Sequence, residues 1–263
     1  MPRIPLWQVD AFTDRPFAGN PAAVVWLDAD ADPAWMQHVA AEMNLAETAF
    51  VQKRPDGDYH LRWFTPAVEV DLCGHATLAS AHALWTSGTV PPDPLRFHTR
   101  SGVLTCARNG DLIELDFPAT PVVDVPTETM VLEGLGVSIG QFGRSKFDVV
   151  VRLDSDAAVR AVRPDYNKLG AVKARGVIVT ATSDDQKYDF VSRFFGPQVG
   201  IDEDPVTGSA HCALAPYWSS KLGKKEMTGY QASSRGGVVR VRLLGDRIIL
   251  GGQAVTVLEG ALV

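Results

Sequence analysis

The chain is poor in cysteine, in long apolar runs and in clustered positive charge. Its three cysteines, Cys73, Cys106 and Cys212, are scattered over 263 residues. An odd, sparse set makes no disulfide framework and suits reduced thiols in a cytoplasmic protein. The longest clean apolar stretch is Ala22 to Leu27, far below the ~18 residues that cross a bilayer, so no membrane partner is expected. Residues 1–10 lack the apolar core and cleavage site of a secretory signal. No run of Lys and Arg reaches four, and the net charge is −6. A nucleic-acid binder normally shows a basic face, so that class is disfavoured and no nucleic-acid partner is expected. There is no GxGxxG and no P-loop, which removes the usual nucleotide sites. The absence of CxxC, HExxH or a dense acidic cluster argues against a metal centre.

What is present is a soluble, acidic, globular composition. Apolar residues make up 46 % and charged residues 21 %, enough for a full core and too few charges for disorder. The length allows one large domain or two small ones. Ile4 to Phe12 alternates as a strand, and Ala22 to Leu27 reads as a second. Asp32-Pro33 opens a helix with Asp32 as N-cap, running from Pro33 to about Met43 and closing at Asn44. Strands follow at Thr48–Gln52 and Tyr59–Phe64, and Gly74 to about Trp85 is an apolar helix. Asn109-Gly110-Asp111 turns a hairpin between 103–107 and 112–117.

The second half repeats the first. Pro66 and Asp71 recur as Pro197 and Asp202, both displaced by 131 positions. Gly74-His75-Ala76 faces Gly208-Ser209-Ala210 at a displacement of 134, and each leads into an Ala/Leu-rich stretch ending in Trp, at Trp85 and Trp218. Gly102 and Gly110 recur as Gly237 and Gly245, displaced by 135, and Val24–Asp28 resembles Val150–Asp154. Ordered matches at nearly constant offset indicate domain duplication. Each unit is expected to be mostly β with one very apolar helix, which must be buried. Two such units would present two helix N-termini to a shared cleft.

Two segments carry chemistry-bearing residues at those helix starts: Asp71–Thr77 and Asp202–His211. Glycine followed by a small or polar residue leaves backbone N–H groups open to an anion. Ser209 would otherwise read as an ordinary N-cap, and His75 as a satisfied helix-start histidine.

The motifs Asp10-Ala11-Phe12-Thr13, Pro16–Pro21, Asn44–Phe50, Phe64-Thr65-Pro66, Cys73–Thr77 and Glu203–Ala210 run in order through the chain. On these motifs it resembles the phenazine-biosynthesis PhzF-like isomerase family, of the diaminopimelate epimerase fold. That resemblance implies an α+β fold of two duplicated domains, each a sheet wrapped around a central apolar helix. Residues 1–118 with a C-terminal strand at about 255–263 would form the half carrying Glu47 and His75. Residues 119–254 would form the half carrying Asp204 and Ser209. It also implies a homodimer, a small carboxylic acid as substrate, and no cofactor and no metal. Glu47 matches the family's proton-moving carboxylate. His75, Asp204 and Ser209 match residues that line the same pocket, with Asn20, Cys73, Gly74, Thr207 and Gly208 as substrate-binding positions. A carboxylate sunk among Leu45, Ala46 and Phe50 is suited to carbon acid–base work, because desolvation raises its proton affinity.

Three rival readings stand beside this one. A thiol epimerase needs a cysteine in each half. Cys73 fills the first place, but motif alignment puts Pro205 in the second, and Cys212 lies further along the helix. A metal enzyme would use His75, Asp204, His211 and Cys212. A catalytically silent binding protein would have lost the carboxylate or a cradle, and this chain keeps Glu47, His75, Asp204 and Ser209. The segment Leu169–Val172 is expected to replace Leu45–Thr48 in the second half without supplying a carboxylate.

Overall fold

The computed structural model describes residues 3–88 and 94–263. In chain order the strands are β1 (Ile4–Ala11), β2 (Asn20–Leu27), β3 (Glu47–Lys53), β4 (Tyr59–Phe64), β5 (Glu69–Val70) and β6 (Leu95–Thr99). Then come β7 (Gly102–Asn109), β8 (Leu112–Pro118), β9 (Val123–Asp124), β10 (Gln141–Arg144), β11 (Asp148–Arg152) and β12 (Gly176–Thr182). The last are β13 (Phe190–Gly196), β14 (Ile201–Asp204), β15 (Glu226–Gln231), β16 (Gly237–Leu244), β17 (Arg247–Gly252) and β18 (Ala254–Leu262). The helices are α1 (Pro33–Met43), α2 (Gly74–Thr86), α3 (Thr129–Leu135), α4 (Asp156–Ala161), α5 (Tyr166–Gly170) and α6 (Gly208–Leu222). They form two compact units, Met1–Asp116 with Gly251–Val263, and Phe117–Leu250.

In the first unit β18 pairs antiparallel with β1, β1 antiparallel with β2, β2 parallel with β3, and β3 antiparallel with β4. Beyond β4, β5 adds antiparallel, β6 adds parallel, and β6 continues antiparallel into β7. Helix α2 packs on β1, β2, β3 and β18. Nine of its 13 residues are buried, so almost its whole circumference is core. Ala, Ser and Thr on that surface let the strands approach closely. Helix α1 covers Leu6, Val25, Phe50 and Phe64 through Met36 and Ala40. It starts as its sequence dictates: the Asp32 side chain accepts from the Ala34 N–H, Pro33 takes the first helical position, and Asn44 closes it in a left-handed conformation.

The second unit repeats this pattern strand for strand. β10 pairs antiparallel with β11, β11 parallel with β12, β12 antiparallel with β13, β13 antiparallel with β14 and parallel with β15, and β15 antiparallel with β16. Helix α6 packs on β15 and β16 and buries eight of its 15 residues. The register makes the repeat concrete. Ala22 pairs with Glu47 at the start of β3, and Asp148 pairs with Gly176 at the start of β12.

Two sequence expectations are corrected by that register. Leu169–Val172 does not stand in the place of Leu45–Thr48. Tyr166–Gly170 is a short helix, and the strand equivalent to β3 begins at Gly176. The intervening turn hid the true register. Trp85 and Trp218 are also not equivalent. They are the twelfth residue of α2 and the eleventh of α6, so they lie about 100° apart around the helix. Trp218 is buried and donates to the Thr180 hydroxyl at 3.0 Å, whereas Trp85 is half-buried under the Arg108 guanidinium.

Candidate active site

The loop between β1 and β2 sets up the first constellation. The Asp10 carboxylate, itself buried, accepts the Phe17 N–H at 2.7 Å. Gly19 then turns the chain at φ +64°, where a Cβ would sit 2.1 Å from the Ala11 carbonyl oxygen. Only glycine fits there. That turn delivers Asn20, fully buried, whose Nδ2 lies 3.2 Å from His75 Nδ1.

His75 is the second residue of α2. Burial pushes its pKa down to about 3, offset in part by a hydrogen bond to the Pro21 backbone, so the ring is neutral at ordinary pH. Asn20 and the Cys73 thiol both approach the ring at Nδ1, and the other ring nitrogen is Nε2. This nitrogen lies 3.1 Å from Glu47 Oε2. The contact joins a neutral imidazole to a carboxyl group and is not an ion pair, and the two atoms are not aligned for a straight hydrogen bond. Glu47 opens β3 and is 9 % exposed. Cys73 is the N-cap residue of α2 and makes no side-chain cap bond, and its Sγ sits 3.5 Å from His75 Nδ1. Glu47, Cys73, His75 and Asn20 are therefore one cluster, with Gly74 at the first turn of the helix beside it.

In the second unit Thr207 and not Ser209 is the N-cap of α6, and it too lacks a side-chain cap bond. Its backbone N–H is taken by Gln231 Oε1 at 2.9 Å, and its hydroxyl donates to Asp204 Oδ2 at 2.5 Å. Gln231 Nε2 also donates to the Asp204 carbonyl at 2.7 Å. Asp204, Thr207 and Gln231 thus form a buried frame around the helix start at Gly208. Ser209, the second helical residue, is half-buried, and its Oγ accepts from Arg175 Nη1 at 2.8 Å. Gln231 and Arg175 had no local signature in the sequence. Gln231 ends β15 and Arg175 directly precedes β12, both remote in the chain from the start of α6, so they are found only through the fold.

The second thiol is missing in a different place from the one the motif suggested. By helix position the counterpart of Cys73 is Thr207, not Pro205, because each is the residue directly before its helix. Thr207 supplies a hydroxyl. Cys212 is buried inside α6, and burial pushes its thiol up to about 12. His211 does not act as a ligand beside it. Its Nδ1 lies 2.9 Å from the Thr207 carbonyl, and burial lowers its pKa to about 4. A different donor set exists: Glu47, Cys73 and His75 bring one atom each to within 4.8 Å of one another. They could hold an ion if the thiol lost its proton. A second set, Asp56, Asp58 and His98, is tied up internally, with His98 Nε2 2.7 Å from Asp58 and Arg54 on Asp56. No helix among the described residues is long and apolar enough to cross a membrane.

Comparison with known proteins agrees with this architecture. The family model described as phenazine biosynthesis-like protein matches residues 9–260. An uncharacterized isomerase of Halalkalibacterium halodurans is 51 % identical over 98 % of both chains. The crystal structure of a phenazine biosynthesis protein of the PhzF family from Enterococcus faecalis superposes with a TM-score of 0.95 at 40 % identity, covering 100 % of each chain. A hydroxyproline epimerase from Agrobacterium vitis shares the fold alone, with a TM-score of 0.63 at 12 % identity over 99 % of this chain and 93 % of that one.

Proposed function

The chain belongs to the phenazine biosynthesis-like protein family and is similar throughout to chains named isomerases; on that premise we propose that it moves a proton between two carbons of a small carboxylic acid, without a cofactor and with Glu47 as the acid–base group. The observation that carries this reading is the Glu47–His75 contact at 3.1 Å, made by a carboxyl group almost out of water and a neutral imidazole held by Asn20. A carboxylate moved out of water binds a proton more readily, which is what a carbon base needs. His75 packs against that carboxyl through Nε2 and helps keep it out of water. In the second unit Asp204 and Ser209 bind and orient the substrate's polar groups, with its acid group at the uncapped start of α6. Asn20, Cys73 and Gly74 in the first unit, and Thr207 and Gly208 in the second, are further substrate-binding positions in this reading.

The test incubates the wild type and Glu47→Gln with a cell metabolite extract in D₂O and follows mass shifts. Compounds that gain deuterium or change isomer with the wild type should remain unchanged with Glu47→Gln. Equal conversion by both proteins contradicts the assignment.

A further inference from the structure

Different chemistries stand near the mouth of the inner parallel strand in the two units. In each, the second residue of the buried helix meets the mouth of the inner parallel strand. In the first unit His75 meets Glu47, the first residue of β3. In the second, Ser209 meets Arg175, the residue directly before β12. The carboxylate has moved across to the neighbouring strand. Asp148 opens β11, its side chain is 1 % exposed, and it binds Arg175 through two parallel bonds, Nε to Oδ1 at 2.9 Å and Nη2 to Oδ2 at 2.6 Å. Burial raises the Asp148 pKa and the Arg175 guanidinium counters that shift. The guanidinium also lies over the rings of Phe147 and Phe194, at 5.2 and 5.5 Å. A planar cation held by a bidentate acid and two rings is fixed in orientation.

That fixed cation has a consequence for Ser209. A hydroxyl that accepts from a guanidinium must send its own proton elsewhere. No acceptor among the described residues takes the Ser209 proton, and the side chain is half-buried at the second position of α6. We infer that Arg175, locked by Asp148, is a positioning residue that turns the Ser209 hydroxyl into an obligate donor toward a bound carboxylate. The pair would thereby make the second unit's helix start selective for an acid over its amide. This rests on the reading above that the α6 start receives the substrate's acid group. Loss of one charge-assisted bond corresponds to roughly ten- to a hundredfold in affinity.

The test uses benzoate and its uncharged analogue benzamide as probes, with amide shifts at Gly208 and Ser209 and the Ser209 Hα–Hβ couplings as readouts. Arg175→Met alone would strand the buried Asp148 carboxylate, so the variant is made together with Asp148→Asn and its folding is checked by thermal unfolding. In the wild type one Ser209 rotamer is expected, and benzoate but not benzamide should move both amides. In the double variant the couplings should average and benzoate should bind ten- to a hundredfold more weakly. Adding Ser209→Ala to it should then change affinity by less than about twofold, since coupled residues are non-additive. Unchanged couplings, or a full additional loss from Ser209→Ala, overturn the positioning role. If benzoate leaves the wild-type amides unmoved, the carboxylate reading of α6 fails. The coupling measurement still judges Arg175 separately.

Discussion

The two units share a strand order and differ in the charged groups placed near the mouth of the inner strand. At the mouth of the inner strand the first unit has a buried carboxyl group beside a neutral histidine. The second has a guanidinium neutralised by Asp148 and in contact with a serine. The same strand order occurs twice with different side chains at this place, and under the proposed function the first unit carries the proton and the second holds the acid group. The largest consequence should appear at Glu47. Glu47→Gln keeps size and a hydrogen bond but removes the titrating oxygen, so turnover of any identified substrate should drop by about 10²–10⁴ with KM little changed. Steady-state kinetics on that substrate reads both constants.

The second unit should respond in the opposite constant. Asp204→Ala and Ser209→Ala should raise KM by roughly ten- to a hundredfold and affect kcat less. A loss confined to kcat would erase the division of labour. A third substitution probes why the second unit has no carboxyl group where the first has Glu47. A Cβ on Gly176 would come within 2.3 Å of the Phe194 ring and 2.9 Å of the Phe195 carbonyl oxygen. Gly176→Ala should therefore cost about 1–3 kcal/mol of stability by overpacking, measured by urea unfolding. The smaller cost of an open site would show that space is not what excludes a side chain there.

Acid should weaken both units alike. His75 and His211 are buried neutral, with pKa values lowered to about 3 and about 4 from an ordinary 6.5. Between those values the unfolded chain binds more protons, so stability is full above pH 6.5 and declines as pH falls through that window. His211→Gln should flatten the decline in a plot of unfolding free energy against pH. The smallest effect is expected at Cys73. With Thr207 as its counterpart no thiol pair exists, so Cys73→Ala should keep turnover within a few-fold.

Much of this was readable in advance where the determinants are local. Asp32-Pro33 and Asn44 fixed the ends of α1, and the Gly74 and Gly208 motifs fixed the starts of both buried helices. Relations that run across strands were not. Arg62 holds Glu69 and Arg193 holds Glu203, each through two bonds of 2.7 and 2.9 Å. The same bridge thus occurs in both units, disguised by spacings of seven and ten residues. Asp148 and Arg175 are 27 residues apart, on opposite sides of a parallel crossover, with no periodicity to link them. The mismatch between Trp85 and Trp218 arose because offset matching ignores the helical turn.

The division between the units is tested most directly by the origin of the migrating hydrogen in one turnover. A protiated substrate, once identified, is converted by excess wild-type enzyme in D₂O and the product is examined by mass spectrometry. If Glu47 alone removes and returns the proton, a measurable fraction of product should retain the substrate's own hydrogen, on the face from which it left. Product carrying solvent deuterium in every molecule, delivered to the opposite face, would mean two bases acting from two sides and would contradict the assignment of proton transfer to the first unit.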